Sequence, residues 1–296
     1  MSLVINNNLM AMNAARNLGT HFGALETSTR RLSSGLRISQ ASDDAAGLAV
    51  RELMRSDVKS LQQGIRNAND AISLIQTADG ALGVIDEKLI RMKELAMQAS
   101  TGTYNSDQRL IIDSEYQAMA SEITRIASST DFNGIYLLNG NLSGATHSGA
   151  GLKSTGKLKV HFGTGNDCAE DYYYIQIDNS TASALGVGFG ATTTAGRTIS
   201  TQALAQKALD SLQKAIVSKD KIRANLGALQ NRLENTVSVL EVQAENVQAA
   251  ESRISDVDVA TEMTKFVSNQ IKTQAAVSML SQANSLPRMA LSLIGG

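Results

Sequence analysis

The chain has no tryptophan, one proline (Pro287) and one cysteine (Cys168), and aromatic residues make up only 4% of its 296 positions. Each shortage excludes something. One cysteine cannot build an internal disulfide framework. Few large rings leave little to fill a thick core, so a long thin seam between helices is easier to bury than the interiors of two ordinary domains. Charge is balanced, with a formal net of -1, so there is no bulk attraction to nucleic acid or to an anionic membrane, and neither is expected as a partner. No apolar run approaches the roughly 20 residues of a membrane span. The first positive charge is Arg16, so MSLVINNNLMAMNAAR does not read as a cleavable signal peptide.

Charge is also scarce at both ends. Between residues 1 and 25 the only Asp, Glu, Lys or Arg is Arg16, and between 266 and 287 it is Lys272. A solvated tail is normally charged. Tails this apolar are expected to be covered. Residues 1–38 carry apolar side chains at a seven-residue repeat: Val4, Ala11, Leu18, Leu25 and Leu32. A companion row four residues on, through Ala15, Phe22 and Leu36, predicts a two-row seam for another helix. The last forty residues are again helix-like, with Met263, Val267, Ile271, Met279, Leu280 and Leu286.

The middle of each half reads as helix. Met54, Val58, Leu61, Ile65, Ala68, Ile72 and Ile75 alternate spacings of four and three. The stripe continues through Leu82, Leu89 and Ala96, with Ala78, Ile85, Met92 and Ala99 beside it. Gly64, Gly80 and Gly83 are candidate bends. Thr101 to Asn105 is a break, and a second helix is expected from Ser106 to Ser129, with Leu110, Tyr116, Met119, Ile123 and Ile126 inward. Leu226, Leu229, Leu233, Val237, Leu240, Ala244 and Val247 form the answering stripe. These stripes are core, not a cofactor box.

Composition changes between about residues 140 and 200, where eleven of the 23 glycines fall. Leu158, Val160 and Phe162 alternate with Lys159 and His161, and Tyr173, Ile175 and Ile177 with Tyr174 and Gln176, about a Gly/Asn/Asp turn. That is a hairpin pattern. The insertion is expected on the surface and tolerant of change. The expected fold is therefore mainly α: a long helical rod with apolar terminal helices that need covering, and a small β-hairpin insertion; the antiparallel rod with its N- and C-terminal helices paired as a coiled coil is what the family resemblance given below implies.

Nothing reads as a catalytic constellation, and no cofactor or metal is implied. His21, His147 and His161 have no metal-ligand spacing. Cys168 has no local partner for nucleophilic chemistry and reads as a free surface thiol. Gly163-Thr164-Gly165 lacks the third glycine of a dinucleotide loop and reads as a turn. Asp43 and Asp44 suit the N-terminus of a helix starting near Ala45. Asn141-Leu142-Ser143 and Asn179-Ser180-Thr181 match the glycosylation triplet without a secretory signal to support it.

Specific strings go further than periodicity. INNNLMAMNAARNL (5–18), RLSSGLRISQASDDAAGLAV (31–50), NANDAISLIQTADGAL (67–82), LGALQNRLENT (226–236), AESRISDVDVATEM (250–263) and SMLSQANSLPRMALSLI (278–294) closely resemble bacterial flagellin in content, order and separation. The resemblance implies three regions. Residues 1–42 with 258–296 would form a terminal coiled coil in the filament core, and residues 43–140 with 197–257 a helical rod. Residues 141–196 would be a short exposed β insertion. It implies a spoke through Arg31, Leu32, Gly35, Arg37, Asp43 and Asp44, and an assembly seam through Val4, Ala11, Leu18, Phe22, Leu25, Leu32, Leu36, Met263, Val267 and Ile271.

By the same resemblance, the subunit is exported unfolded by the flagellar type III system and polymerises into an extracellular swimming propeller. Its partners would be copies of itself, the flagellar cap, hook-associated proteins and an export chaperone at the C-terminal helices. LIRMKELAMQAS (89–100) resembles the segment read by an animal Toll-like receptor, with Arg91, Leu95 and Glu115 at matching contact positions; otherwise Leu95 belongs inside the bundle. Ser180, Thr181 and Thr192 are candidate O-glycosylation sites on the same ground. Two rivals stand beside this reading. A hook–filament junction protein would carry proline around the paired aspartates, where this chain has Ala41-Ser42-Asp43-Asp44-Ala45-Ala46-Gly47. A coiled-coil signalling protein would need a membrane segment or sensory module.

Overall fold

The structure is a computed structural model that describes residues 8–144, 146–147, 156–167, 170–188 and 196–294. Val4, Cys168 and Thr192 lie outside the described residues. The elements are α1 (Leu9–Ser34), α2 (Ala45–Ser100), α3 (Ser106–Ser129), β1 (Asp131–Phe132), β2 (Ile135–Tyr136), β3 (Leu158–His161), β4 (Tyr172–Ile175), α4 (Gln202–Ser255) and α5 (Val259–Ile294). The chain divides into two compact units. Unit 1 holds residues 1–58 and 245–296, and unit 2 holds residues 59–244. The divisions fall inside α2 and α4 and not at the expected boundaries near 42 and 257.

Local chemistry sets the helix ends. Asn8 caps α1 by accepting from the Ala11 amide at 3.0 Å. Gly35 ends that helix with φ 72°, a left-handed conformation that costs glycine little. Asp44 caps α2 by accepting from the Gly47 amide at 2.9 Å. Asn105 and Gln108 form a reciprocal capping box at the start of α3.

In unit 2, α2 and α4 supply the facing stripes and α3 closes over them. Ala78, Leu82, Ile85, Leu89, Met92, Ala96 and Ala99 are all fully buried, as the alternating pattern predicts. Leu226, Leu233, Leu240 and Ala244 are buried on α4. Leu110 departs from expectation: it is 55% exposed on α3, and Ile112 takes the inward place. Helix α2 runs unbroken through Gly64, Gly80 and Gly83. Gly64 has a packing reason instead of a bending one. A Cβ there would overlap the carbonyl oxygen of Phe162, so the missing side chain lets the hairpin lie directly on the helix.

The hairpin forms in the expected place, with Val160 opposite Tyr173 and His161 opposite Tyr172. Its turn is held by Asp171, whose carboxylate accepts from the amides of Gly165 and Asp167 at 3.2 and 2.7 Å. It is not a detached surface feature, however. Val160, Phe162, Ile175, Ile177, Ala182, Leu185 and Val187 are buried, most of them in the same core as α2, α3 and α4. With so few aromatics in the helices, the inward face of this segment completes the interior. A second, very short hairpin, β1–β2, turns at Asn133-Gly134, both with positive φ.

Candidate assembly site

Unit 1 is the pair of terminal helices with the segments that join them to α2 and α4. Helices α1 and α5 run antiparallel. Asn8 donates to the Ala283 carbonyl at 2.8 Å at one end, and Ser28 donates to Glu262 Oε1 at 2.7 Å near the other. The covered face of α1 is Ala11, Ala14, Leu18, His21, Leu25, Ser28 and Leu32, a strict alternation of three and four. The repeat through Ala11, Leu18, Leu25 and Leu32 is thus the one that meets α5, each residue half-buried. Its companion row lies three residues on, not four. Phe22 is 51% exposed and Ala15 is exposed. Leu36 lies beyond the helix end and bridges to Asp256.

The answering face of α5 is Glu262, Phe266, Asn269, Thr273, Ala276, Leu280 and Ala283. Met263, Val267 and Ile271 point elsewhere, with 45%, 44% and 61% exposure. The seam mixes Leu18, Leu25, Leu32, Phe266 and Leu280 with small and polar residues, while further bulky apolar residues are turned outward. Size alone therefore points to the wrong face. Leu9, Met10 and Met12 on α1, and Val259, Val277 and Met279 on α5, are likewise exposed. Phe22 and Leu25 line a shallow groove with Gly19, Gly23, Glu26 and Thr29.

The joining segment is built around Asp43. Its Oδ1 lies 3.1 Å from Arg30 Nη2 and 3.9 Å from Arg31 Nη2. Its Oδ2 accepts from the amides of Ser39 and Gln40 at 3.2 and 3.1 Å and from the Ser39 hydroxyl. Burial alone would raise the Asp43 pKa; together the bonds from Ser39 and Gln40 and the Arg30 charge outweigh it, and the pKa falls below the ordinary carboxylate value. Arg37 binds the opposite strand of the joint: its amide donates to the Ser255 carbonyl at 2.7 Å, and its guanidinium to the Ile254 carbonyl at 2.8 Å. The Val257 amide returns a bond to Gly35. The six expected spoke residues Arg31, Leu32, Gly35, Arg37, Asp43 and Asp44 thus fall in one neighbourhood, but with different tasks. Asp44 is a helix cap, Leu32 belongs to the seam, and Asp43 is the hub.

Three residues of this joint went unread in the sequence. Arg30, not Arg31, makes the close ion pair. Ile38 is 1% exposed, and Arg51, 8% exposed, donates to its carbonyl at 2.6 Å. No short motif marks Arg51, because its partner is a backbone oxygen thirteen residues away.

The remaining candidates separate. Arg91 and Glu115 lie together on unit 2, with Arg91 Nη2 2.8 Å from Glu115 Oε1 and Nη1 2.9 Å from Glu94. Leu95 is 1% exposed inside the core, so it offers no surface to a receptor. Ser180 is fully buried, its hydroxyl directed at the Asp178 carbonyl, which removes it as a glycosylation site on the folded chain. Thr181 is half-buried against Ser183. Among the described residues no group of His, Cys, Asp and Glu is placed to hold a metal ion, and no helix is long and apolar enough to cross a membrane.

Comparison with known proteins accounts for this geometry. Residues 5–143 match the bacterial flagellin N-terminal helical region and residues 209–294 the bacterial flagellin C-terminal helical region. The chain is 41% identical over 300 residues to the flagellar filament 33 kDa core protein of Treponema phagedenis, covering 99% of this chain and all of that one. It is 39% identical over 292 residues to flagellin of Halalkalibacterium halodurans, again over 99% of this chain and all of the relative. Among solved structures, a hook-associated protein from Vibrio parahaemolyticus, described as putative, shares the fold with a TM-score of 0.55 at 13% identity, covering 72% of this chain and 100% of its own. Two helical regions matched at opposite ends of the chain, and relatives aligned along essentially its whole length, place this chain in the bacterial flagellin family.

Proposed function

We infer that this chain is a structural subunit that polymerises with copies of itself into the extracellular flagellar filament, the propeller of swimming cells. The observation that carries the reading is a second, exposed apolar face on the terminal helices. Beyond the leucines and Phe266 of the seam, a second set of large apolar side chains, Met10, Met12, Phe22, Val267, Ile271 and Met279, faces outward from the α1–α5 pair. Such a surface is covered in a working molecule, and a helical array of identical subunits covers it without any other protein. Filament-core proteins among the relatives support the same assignment.

Export in an unfolded state fits a chain with one cysteine and one proline, which has little to slow refolding. The exposed rows on α5 are the surface we assign to an export chaperone before assembly, and to cap and hook-associated proteins at the filament ends. The test is polymerisation of purified protein. Wild type should form filaments of micrometre length, whereas Phe22→Asp should leave unit 2 folded and block growth. Normal filaments from Phe22→Asp would remove the outward row from the interface.

The receptor reading narrows to Arg91 and Glu115, half-exposed and paired across α2 and α3. An Arg fork beside a carboxylate suits a polar protein contact. Monomer is expected to stimulate reporter cells bearing the flagellin-sensing Toll-like receptor, and Arg91→Ala to weaken that response. Equal responses would exclude Arg91.

A further inference from the structure

The exposed faces of the terminal helices are rich in one chemically reactive side chain. Six methionines are exposed among the described residues, and five of them lie on α1 and α5: Met10, Met12, Met263, Met279 and Met289, with exposures from 45% at Met263 to 64% at Met279. The sixth, Met97, is on α2. Met92 is fully buried in the core of unit 2, and Met54 and Met119 are half-buried. Exposure controls how readily a thioether meets an oxidant in water, so one reagent should sort these sulfurs by their place in the fold.

The neighbouring side chains decide what oxidation does. On α5, Val259, Met263, Val267 and Ile271 follow one another at intervals of four residues and are all exposed, which makes a continuous apolar ridge along the helix. On α1, Met10 and Met12 stand beside exposed Leu9. None of these apolar side chains has a donor to offer a sulfoxide. A peroxide oxidises a thioether by accepting the sulfur lone pair at one oxygen. The O–O bond breaks and an S–O bond forms. The proton on the transferred oxygen passes to the departing hydroxide, which leaves as water. Sulfur is oxidised by two electrons and the peroxide is reduced by them. The product is a strong acceptor that water satisfies on the free subunit. It becomes costly wherever apolar surface covers the ridge.

Resting on the assembly reading above, we propose that Met10, Met12, Met263, Met279 and Met289 form an oxidation site that switches the free subunit out of assembly: peroxide converts them to sulfoxides, the outward faces become polar, and polymerisation stops until the sulfoxides are reduced. Reduction takes two electrons from a dithiol, releases the oxygen as water and restores the thioether. Unit 2 keeps its fold throughout, because its core methionine, Met92, is out of reach of the oxidant.

The test uses full-length chain with Cys168→Ser, so that no thiol competes for the oxidant. Monomer is treated with hydrogen peroxide, freed of reagent, mapped by peptide mass and then allowed to polymerise. The five terminal methionines and Met97 should gain oxygen well before Met92. Sedimented polymer should fall roughly tenfold or more, the effect expected of even one unpaired polar group in an apolar contact. Treatment with a dithiol and two methionine sulfoxide reductases, one for each sulfoxide epimer, should restore it. The decisive variant combines Met10→Leu, Met12→Leu, Met263→Leu, Met279→Leu and Met289→Leu, which keeps volume and apolarity. It should polymerise equally with and without peroxide, whereas Met97→Leu should stay as sensitive as the parent.

Met92 oxidised as fast as the terminal methionines would overturn the proposal. So would oxidised parent that polymerises normally, or a five-leucine chain that remains sensitive to peroxide. Should the five-leucine chain fail to polymerise even untreated, the reductase arm decides: thioethers restored without recovery of polymer would overturn the switch, and recovery would uphold it. Untreated parent that never polymerises would overturn the filament assignment, and the switch with it; the other failures leave that assignment standing.

Discussion

At the scale of single residues, the clearest energetic statements concern charges between α2 and α4. Lys219 is 1% exposed, yet its amine lies 2.6 Å from Asp86 and 2.7 Å from Asp220. Truncation to Ala removes a packed hydrocarbon stem and leaves two carboxylates without their cation. The expected cost is about 3 kcal/mol, at the lower end for breaking a buried pair because both carboxylates reach water. Lys219→Met keeps the stem and should cost less. Denaturant melts of the two variants decide the order, and equal losses would mean that charge, not packing, dominates. One turn on, Arg223 Nε lies 2.7 Å from Asp79. That hydrogen bond is the main cause holding the Asp79 pKa below its ordinary 3.8. A depressed carboxylate stabilises fully above its unfolded-chain pKa and loses the contribution as pH falls through the folded one. Asp79→Asn should therefore lower Tm at pH 7 and have progressively less effect below pH about 4, as the parent loses the same bond. A constant gap in Tm down to pH 2 would refute the linkage.

At the scale of elements, the helices were legible and their partners only partly so. Every position of the alternating stripe of α2 from Ala78 to Ala99 is fully buried, because inside unit 2 the apolar residues face inward, as periodicity assumes; Leu95 is buried beside them. The same logic chose the wrong companion row on α1. Phe22 is the largest apolar side chain in that stretch, so it draws the seam toward itself, while Ser28 and His21, which sit inside, look like surface residues. A helix that serves two interfaces carries two faces, and one sequence gives no label for which is internal. Arg91, Leu95 and Glu115 illustrate the limit at a site: the motif placed all three together, and only burial separates the paired charges from the core leucine. The hairpin was legible in position but not in role, since alternation reveals that one face is buried without revealing against what. Its role yields a prediction. Deleting residues 145–190 would strip Ile175, Ile177, Ala182 and Val187 from the core and uncover Gly64 and its neighbours. The deletion should lower the Tm of unit 2 sharply, by calorimetry. An unchanged Tm would restore the reading of a dispensable surface insertion.

At the scale of the whole molecule, the two units differ in what they bury. Unit 2 has a closed apolar interior drawn from α2, α3, α4 and the hairpin segment. In unit 1 the described buried apolar residues are only Ile38, Val58 and Ala283; the others are Ser28, Arg51, Ser255, Glu262 and Thr273. Backbone ordering costs roughly 1–2 kcal/mol per residue, and a terminal pair that covers so little apolar surface recovers a small part of that. Unit 1 is therefore expected to stand at the low-stability end of the molecule and to open locally before unit 2 unfolds. Lateral neighbours in a filament would change this by covering Phe22, Ile271 and Met279, so that ordering and assembly are coupled. Brief protease treatment of monomer should trim both ends and leave a resistant fragment close to residues 59–244, identified by intact mass. The same treatment of filaments should leave the ends intact. Leu25→Asp places a carboxylate in the seam itself, and should make the monomer's ends more labile while abolishing the filament's protection. Monomer ends as resistant as those in filaments would show that the α1–α5 pair is stable alone, and that assembly is not what orders it.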